Sequence, residues 1–263
     1  MVYRIDYLRE NKINPITNCE YDASWIVLML TDSHKYQQFA GSNHGCAYTV
    51  KVSRPKCENW MTVIGDFISF HEANGKNVIL VMSEADYVNV QKYYSGHQYN
   101  EPFLREDEPS VLVHSTSMNS WEQIKRDGML KCWSRLKSEN AISEVSPIGA
   151  KLGDPSDISD YIMFGNGIAG EIVVNSKQKG KIVMDIDSEY LTGARLYFDA
   201  EKIARDGLLV RDGSHLKVKD ALLLHPYIIW TATWDNIGLK SQTSTPRIFT
   251  EQSDRAFREL FHK

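Results

Sequence analysis

The chain has no apolar stretch near the roughly 20 residues that a membrane helix needs, so no membrane span is expected. Its first residues, Met-Val-Tyr-Arg-Ile-Asp, lack the basic-then-apolar order of a secretory signal. Charge of one sign is also missing. Lys and Arg number 30 against 34 Asp and Glu, a net −4, and such a chain carries no global basic field to hold nucleic acid without sequence preference. A local basic groove is not excluded by that sum. The four cysteines (Cys19, Cys46, Cys57, Cys132) are unevenly spaced and form no Cys-x-x-Cys pair. Neither a zinc site nor a redox pair is signalled, no metal is expected, and a reduced, cytoplasmic setting fits best. Internal repeats and low-complexity segments are absent.

What is present is an ordinary globular composition, 42% hydrophobic and 24% charged, over 263 residues. That length suits one large domain or two modest ones. Residues 1–100 read as a small mixed α/β N-terminal domain. Val2–Leu8, Ser24–Leu30 and Ala47–Val52 are β-like, and Asn77–Met82 is a compact buried strand. Trp60, Val63, Ile64, Phe67, Ile68 and His71 recur at helical spacing over Asn59–Asn74, with Gly75 as a left-handed stop. Ser83-Glu-Ala-Asp86 reads as a helix N-cap. The polar stretch Ser95–Glu108 holds the boundary, with 101–108 as linker and 109–263 as the second domain.

In that second domain, Val111–Val113 predicts a strand, and Met118–Asp127 a helix capped by Ser117 or Asn119 and closed by Gly128. A polar loop, Ser138–Ser159, follows; loops of this length are often functional. Strands are expected at Tyr161–Phe164, Glu171–Asn175, Lys181–Ile186, Ala194–Phe198 and Ile228–Trp234. Ser176–Gly180 is expected as a hairpin turn, and Gly165–Gly167 as another turn. Asp199–Asp206 reads as one or two helical turns. Asp212-Gly213, between Leu208–Val210 and His215–Val218, is the strongest hairpin signal in the chain. Asp254–His262 reads as a C-terminal amphipathic helix. Many short strands, few of them alternating with helices, predict α+β with a mainly antiparallel sheet.

Pro109-Ser-Val-Leu-Val-His114-Ser-Thr116 delivers a His and a hydroxyl to a strand-to-helix corner. Ile124-Lys-Arg-Asp-Gly128-Met-Leu130, Asp199-Ala-Glu-Lys-Ile-Ala-Arg-Asp-Gly207 and Leu216-Lys-Val218…Leu222…Tyr227-Ile228 follow it. Together these motifs, within residues 109–229, resemble the catalytic domain of the ADP-ribosyltransferase superfamily, nearest its RNA 2′-phosphotransferase branch. The resemblance implies split antiparallel β-sheets with flanking short helices. It implies NAD+ as substrate and transfer of ADP-ribose to a macromolecular acceptor: RNA, DNA or protein. The alternatives are an RNA 2′-phosphotransferase using NAD+, and a catalytically silent nucleotide- or protein-binding module. Ser115 departs from the family's Gly, and Asp160-Tyr161 stands where a strand His is usual. The N-terminal hundred residues show neither a winged-helix pattern nor the Arg-rich spacing that grips a 2′-phosphate.

By that resemblance His114 and Tyr161 are catalytic, with the third position near Leu216 and His215 beside it. Ser115, Thr116, Phe164 and Arg195 join His114 and Tyr161 as NAD-binding residues. Each has a plainer reading. His114 could be a backbone-satisfied core His, Ser115 and Thr116 capping hydroxyls, and Tyr161 a packed strand aromatic. Arg195 and Arg205 could be surface charges, and Lys177, Lys179 and Lys181 a solubilising turn. Glu171, Glu189 and Glu201 are the carboxylate candidates, each read first as a solvated surface charge. His71, His97, His225 and the pair His44 and Cys46 read as structural, and Trp230, Trp234 and Tyr227 as core.

Overall fold

The computed structural model describes residues 1–9, 11–35, 37–41, 47–165 and 167–261. His44 and Cys46, Asn166 of the expected Gly165–Gly167 turn, and His262 at the end of the expected last helix lie outside them. The chain divides into two compact units. The first is Met1–Glu101 with Gly149–Ile158 and Val210–His215; the second is Pro102–Ile148, Ser159–Leu209 and Leu216–Lys263. The break at Glu101 falls where the expected linker begins, but two short stretches of the later sequence belong to the first unit.

The first unit contains β1 (Val2–Ile5), β2 (Trp25–Thr31), β3 (Gln38–Gly41), β4 (Thr49–Ser53), α1 (Trp60–Ala73), β5 (Asn77–Val81) and α2 (Glu84–Tyr94). Its sheet runs β1-β5-β2-β4-β3; β3 alone is antiparallel to its neighbour. The parallel pairing has a physical reason. Val27, Leu28, Ile79 and Leu80 are consecutive pairs with no exposed surface, so both faces of β2 and β5 are covered. That is the pattern of parallel strands joined by a crossover, which α1 supplies between β4 and β5. Ile64, Phe67, Ile68 and His71 form the buried stripe of α1, and Gly75 ends it at φ +73°. Ser83 caps α2 by accepting from Asp86 N. Gly213 has φ +78°, and a Cβ there would lie 2.6 Å from Val63 O. The Asp212-Gly213 turn therefore packs its backbone directly on α1.

The second unit contains β6 (Val111–Thr116), α3 (Met118–Asp127), β7 (Met129–Lys131), α4 (Trp133–Ser138), β8 (Tyr161–Phe164), α5 (Ala169–Lys179), β9 (Tyr190–Leu191), β10 (Ala194–Asp199) and α6 (Ala200–Arg205). A strand β11 (Leu209–Arg211) then runs across the division between the units. It is followed by β12 (Leu216–Lys219), β13 (Ala221–Leu223), β14 (Ile228–Thr233), β15 (Thr243–Ser244) and α7 (Pro246–Phe261). The described residues thus form an α+β protein with several small antiparallel sheets and seven α-helices. In the second unit β6 and β14 flank β10, β12 pairs β8, β13 pairs β7 and β15 pairs β9, all antiparallel.

Strand alternation in β6 sorts its side chains between two cores. Leu112 packs with Phe164, Leu196, Phe198 and Val218 on one face. Val113 packs with Tyr197, Ala232 and Phe257 of α7 on the other. Each such large apolar side chain contributes roughly 1.5–3 kcal/mol by burial. Two expected strands are corrected: Glu171–Asn175 lies inside α5, and Lys181–Ile186 is irregular. The β-branched run Ile172-Val-Val174 favours a strand locally, but tertiary burial of one helical face prevails, and Gly180 closes the helix at φ +64°.

Candidate functional site

His114 sits near the end of β6, where β6 and β8 meet. Its Nδ1 lies 3.1 Å from Met163 O, and Gly165 N donates to Val113 O at 3.0 Å. A carbonyl can only accept, so Nδ1 carries the proton and Nε2 presents a lone pair. Nε2 has no hydrogen-bond partner among the described residues, and the ring is half-buried. Burial pushes the imidazole down to about 4, the charge of Lys177 pushes the same way, and the bond to Met163 opposes both. The ring is therefore neutral at physiological pH, a fixed acceptor rather than a proton donor. Desolvation lowers the pKa of Lys177, on α5, and the charge of Glu144 opposes that shift.

Phe164 stands with its ring 6.3 Å from that of His114, and Leu216 is its cross-strand partner. Thr116 is buried at the end of β6, and Ser117 caps α3 by accepting from Ser120 N. His114, Phe164 and Leu216 thus gather at one end of β8. Tyr161 does not join them. It starts the same strand, three residues or about 10 Å away. It is buried, and Lys217 Nζ covers its ring at 4.3 Å from the centroid. A ring with a cation over one face is not an open stacking platform. His215 belongs to the first unit, where its Nδ1 lies 3.4 Å from Asp212 Oδ2.

Ser115 points to the opposite face of the sheet, into a buried polar group that the sequence does not announce. Arg195 is fully buried and bound to Asp254 at 2.9 and 3.3 Å. It reaches Ser115 Oγ at 3.4 Å and Glu171 Oε1 at 3.8 Å. Arg195 is therefore an internal ion-pair partner, not a ligand-facing phosphate grip. Burial opposes its charge, yet Asp254, Tyr197 and Glu171 together hold its pKa up. Glu171 is the larger surprise. Expected as a surface charge, it has no exposed surface, and Tyr190 donates to its Oε2 at 2.6 Å. Burial raises its pKa, while the Ser115, Tyr190 and Arg195 groups pull the other way and Asp254 adds to the rise. Its signal in the sequence is helical spacing: Glu171, Val174 and Asn175 share one face only once the segment is read as helix. Glu189 and Glu201 are exposed, as a surface charge would be.

Gly170 and Gly193 set how closely the chain approaches β6. A Cβ on Gly170 would lie 2.6 Å from Ser115 Oγ, and one on Gly193 would overlap Thr116 O. Among the described residues no three His, Cys, Asp or Glu side chains are placed to hold a metal ion, and no helix is long and apolar enough to cross a membrane. Comparison with protein-family models, with curated proteins and with solved structures finds no match for this chain.

Proposed function

We propose that the second unit is a NAD-dependent ADP-ribosyltransferase that uses His114, near the end of β6, to hold the nicotinamide riboside end of NAD+. The observation that carries this reading is the tautomer of His114. A neutral imidazole, fixed through Nδ1 and open at Nε2, is an acceptor suited to a ribose hydroxyl. Two further features support it. The second unit's small antiparallel sheets, with β10 paired to β6 and β12 to β8, leave room for the split-sheet arrangement that the resemblance of residues 109–229 implies. The ammonium of Lys177, near the ring, would favour a phosphate oxygen. Cleavage of the nicotinamide–ribose bond builds positive charge on the sugar, and the chain's part is to fix the ribose and exclude water.

A second reading rests on its own observation. Leu216 supplies no carboxylate beside Phe164, and Glu171, on α5, is sealed inside the unit. A module that binds a nucleotide without turning it over satisfies both facts. The test is NAD+ binding by calorimetry together with nicotinamide release. Wild type is compared with His114→Ala, and RNA with an internal 2′-phosphate, other RNA, DNA and protein acceptors are offered separately. The transferase reading expects release by wild type, reduced at least ~100-fold in His114→Ala. The accelerating acceptor names the substrate class, with the 2′-phosphate arm marking a phosphotransferase. Binding without release selects the silent module, and absence of binding overturns both.

A further inference from the structure

Helices α5 and α7 face each other across Arg195. Glu171 of α5 stands 3.8 Å from one side of that guanidinium, and Asp254 of α7 stands 2.9 Å from another. At the far end of α5, Gln178 exchanges two hydrogen bonds with the backbone of Leu191. Leu191 pairs with Thr243 in β15, and α7 begins at Pro246 just beyond it. The two helices therefore run in opposite directions between the same two landmarks. One turn past Glu171 lies Asn175; one turn before Asp254 lies Thr250, with Ser253 beside it. The opposite directions put these positions at the same level along the two helices, which contact each other.

Five side-chain atoms there are buried without a hydrogen-bond partner: Glu171 Oε1, Asn175 Nδ2 and Oδ1, Thr250 Oγ1 and Ser253 Oγ. None of these four residues has more than 6% of its surface exposed. Buried groups left unpaired are destabilising, and five along one seam exceed what native interiors tolerate. Donors and acceptors are mixed. A bare cation would satisfy the oxygens and leave Asn175 Nδ2 unpaired, since an amide cannot offer two acceptors. A molecule that both donates and accepts satisfies all five.

We propose that Glu171, Asn175, Thr250 and Ser253 form an internal site for one or two long-lived water molecules between α5 and α7. Internal waters make about three hydrogen bonds each, so two suffice for five atoms. The site bridges the helices where the Arg195–Asp254 pair stops. It gives Glu171 Oε1 a hydrogen-bonding partner beside the one that Tyr190 gives Oε2. The inference does not rest on the transferase reading.

The test is ¹⁷O magnetic relaxation dispersion of water on the whole protein, which counts waters held for longer than molecular tumbling. Asn175→Leu and the milder Thr250→Val and Ser253→Ala are compared with wild type. The amplitude is expected to fall by one or two waters in Asn175→Leu or, should that variant fail to fold, in Thr250→Val with Ser253→Ala. Thr250→Val is expected to lower Tm by about 2–4 °C, because a bound water loses a partner. An unchanged amplitude overturns the proposal. A raised Tm in Thr250→Val does the same, because it means that a dry, unpaired hydroxyl was removed.

Discussion

A histidine buried away from water resists protonation even when its Nδ1–H is tied to a carbonyl, and His114 carries that property into stability as well as binding. Its folded value of about 4 lies below its ordinary 6.5, so between these values the unfolded chain binds more protons than the folded one. Stability therefore rises as pH climbs from 4 to 6.5 and gains nothing further from this group above that window. The full effect is at most about 3 kcal/mol. Urea unfolding at several pH values should show this slope in wild type and lose it in His114→Gln. An equal slope in both would mean that the ring is open to protons in the fold. The place of His114 near the end of a strand was legible in the sequence, because an apolar run followed by a cap and a helix marks that corner locally. Glu171 and Arg195 were not. Their roles come from burial between two helices and a strand that are distant in sequence, and a charged residue carries no local mark of such a partner.

At the scale of elements, the seam between β10 and α7 depends on Arg195 and Asp254. Removing the carboxylate in Asp254→Ala strands a buried guanidinium, and a loss of about 3 kcal/mol in urea unfolding is expected. A loss below about 1 kcal/mol would show that Glu171 alone suffices as counter-charge. Gly193→Ala presses a methyl into Thr116 O, at the joint of β6 and β10, and is expected to cost more than about 2 kcal/mol. Chemical denaturation measures it, and a neutral result would mean that the joint yields. The helix Met118–Asp127 and the strand Tyr161–Phe164 were readable to the residue, because caps, Gly128 and a compact apolar run mark their ends locally. Helix α5 was not, since its β-branched run argues for a strand and only tertiary packing decides otherwise. The same limit applies to the first unit's parallel sheet, whose crossover pairing no short window of sequence can show.

Across the whole molecule, the chain enters each unit more than once. Gly149–Ile158 and Val210–His215 complete a unit otherwise built from Met1–Glu101. Arg211 illustrates the dependence: it is buried, and its backbone N and its side chain bond to Tyr99 O and Glu101 O. A fragment ending at Glu101 is therefore expected to unfold without the cooperative transition of the full chain, followed by circular dichroism in urea. A sharp transition at the same midpoint would show that the two later stretches are dispensable. NAD+ binding turns on one nitrogen atom, Nε2 of His114. Histidine-selective ¹⁵N NMR during NAD+ titration reads it directly. A neutral, Nδ1-protonated His114 is expected in the unliganded protein, with a shift of its Nε2 resonance that saturates with NAD+. An Nε2 resonance unmoved at saturating NAD+, or a ring protonated at Nε2 from the start, would contradict that expectation.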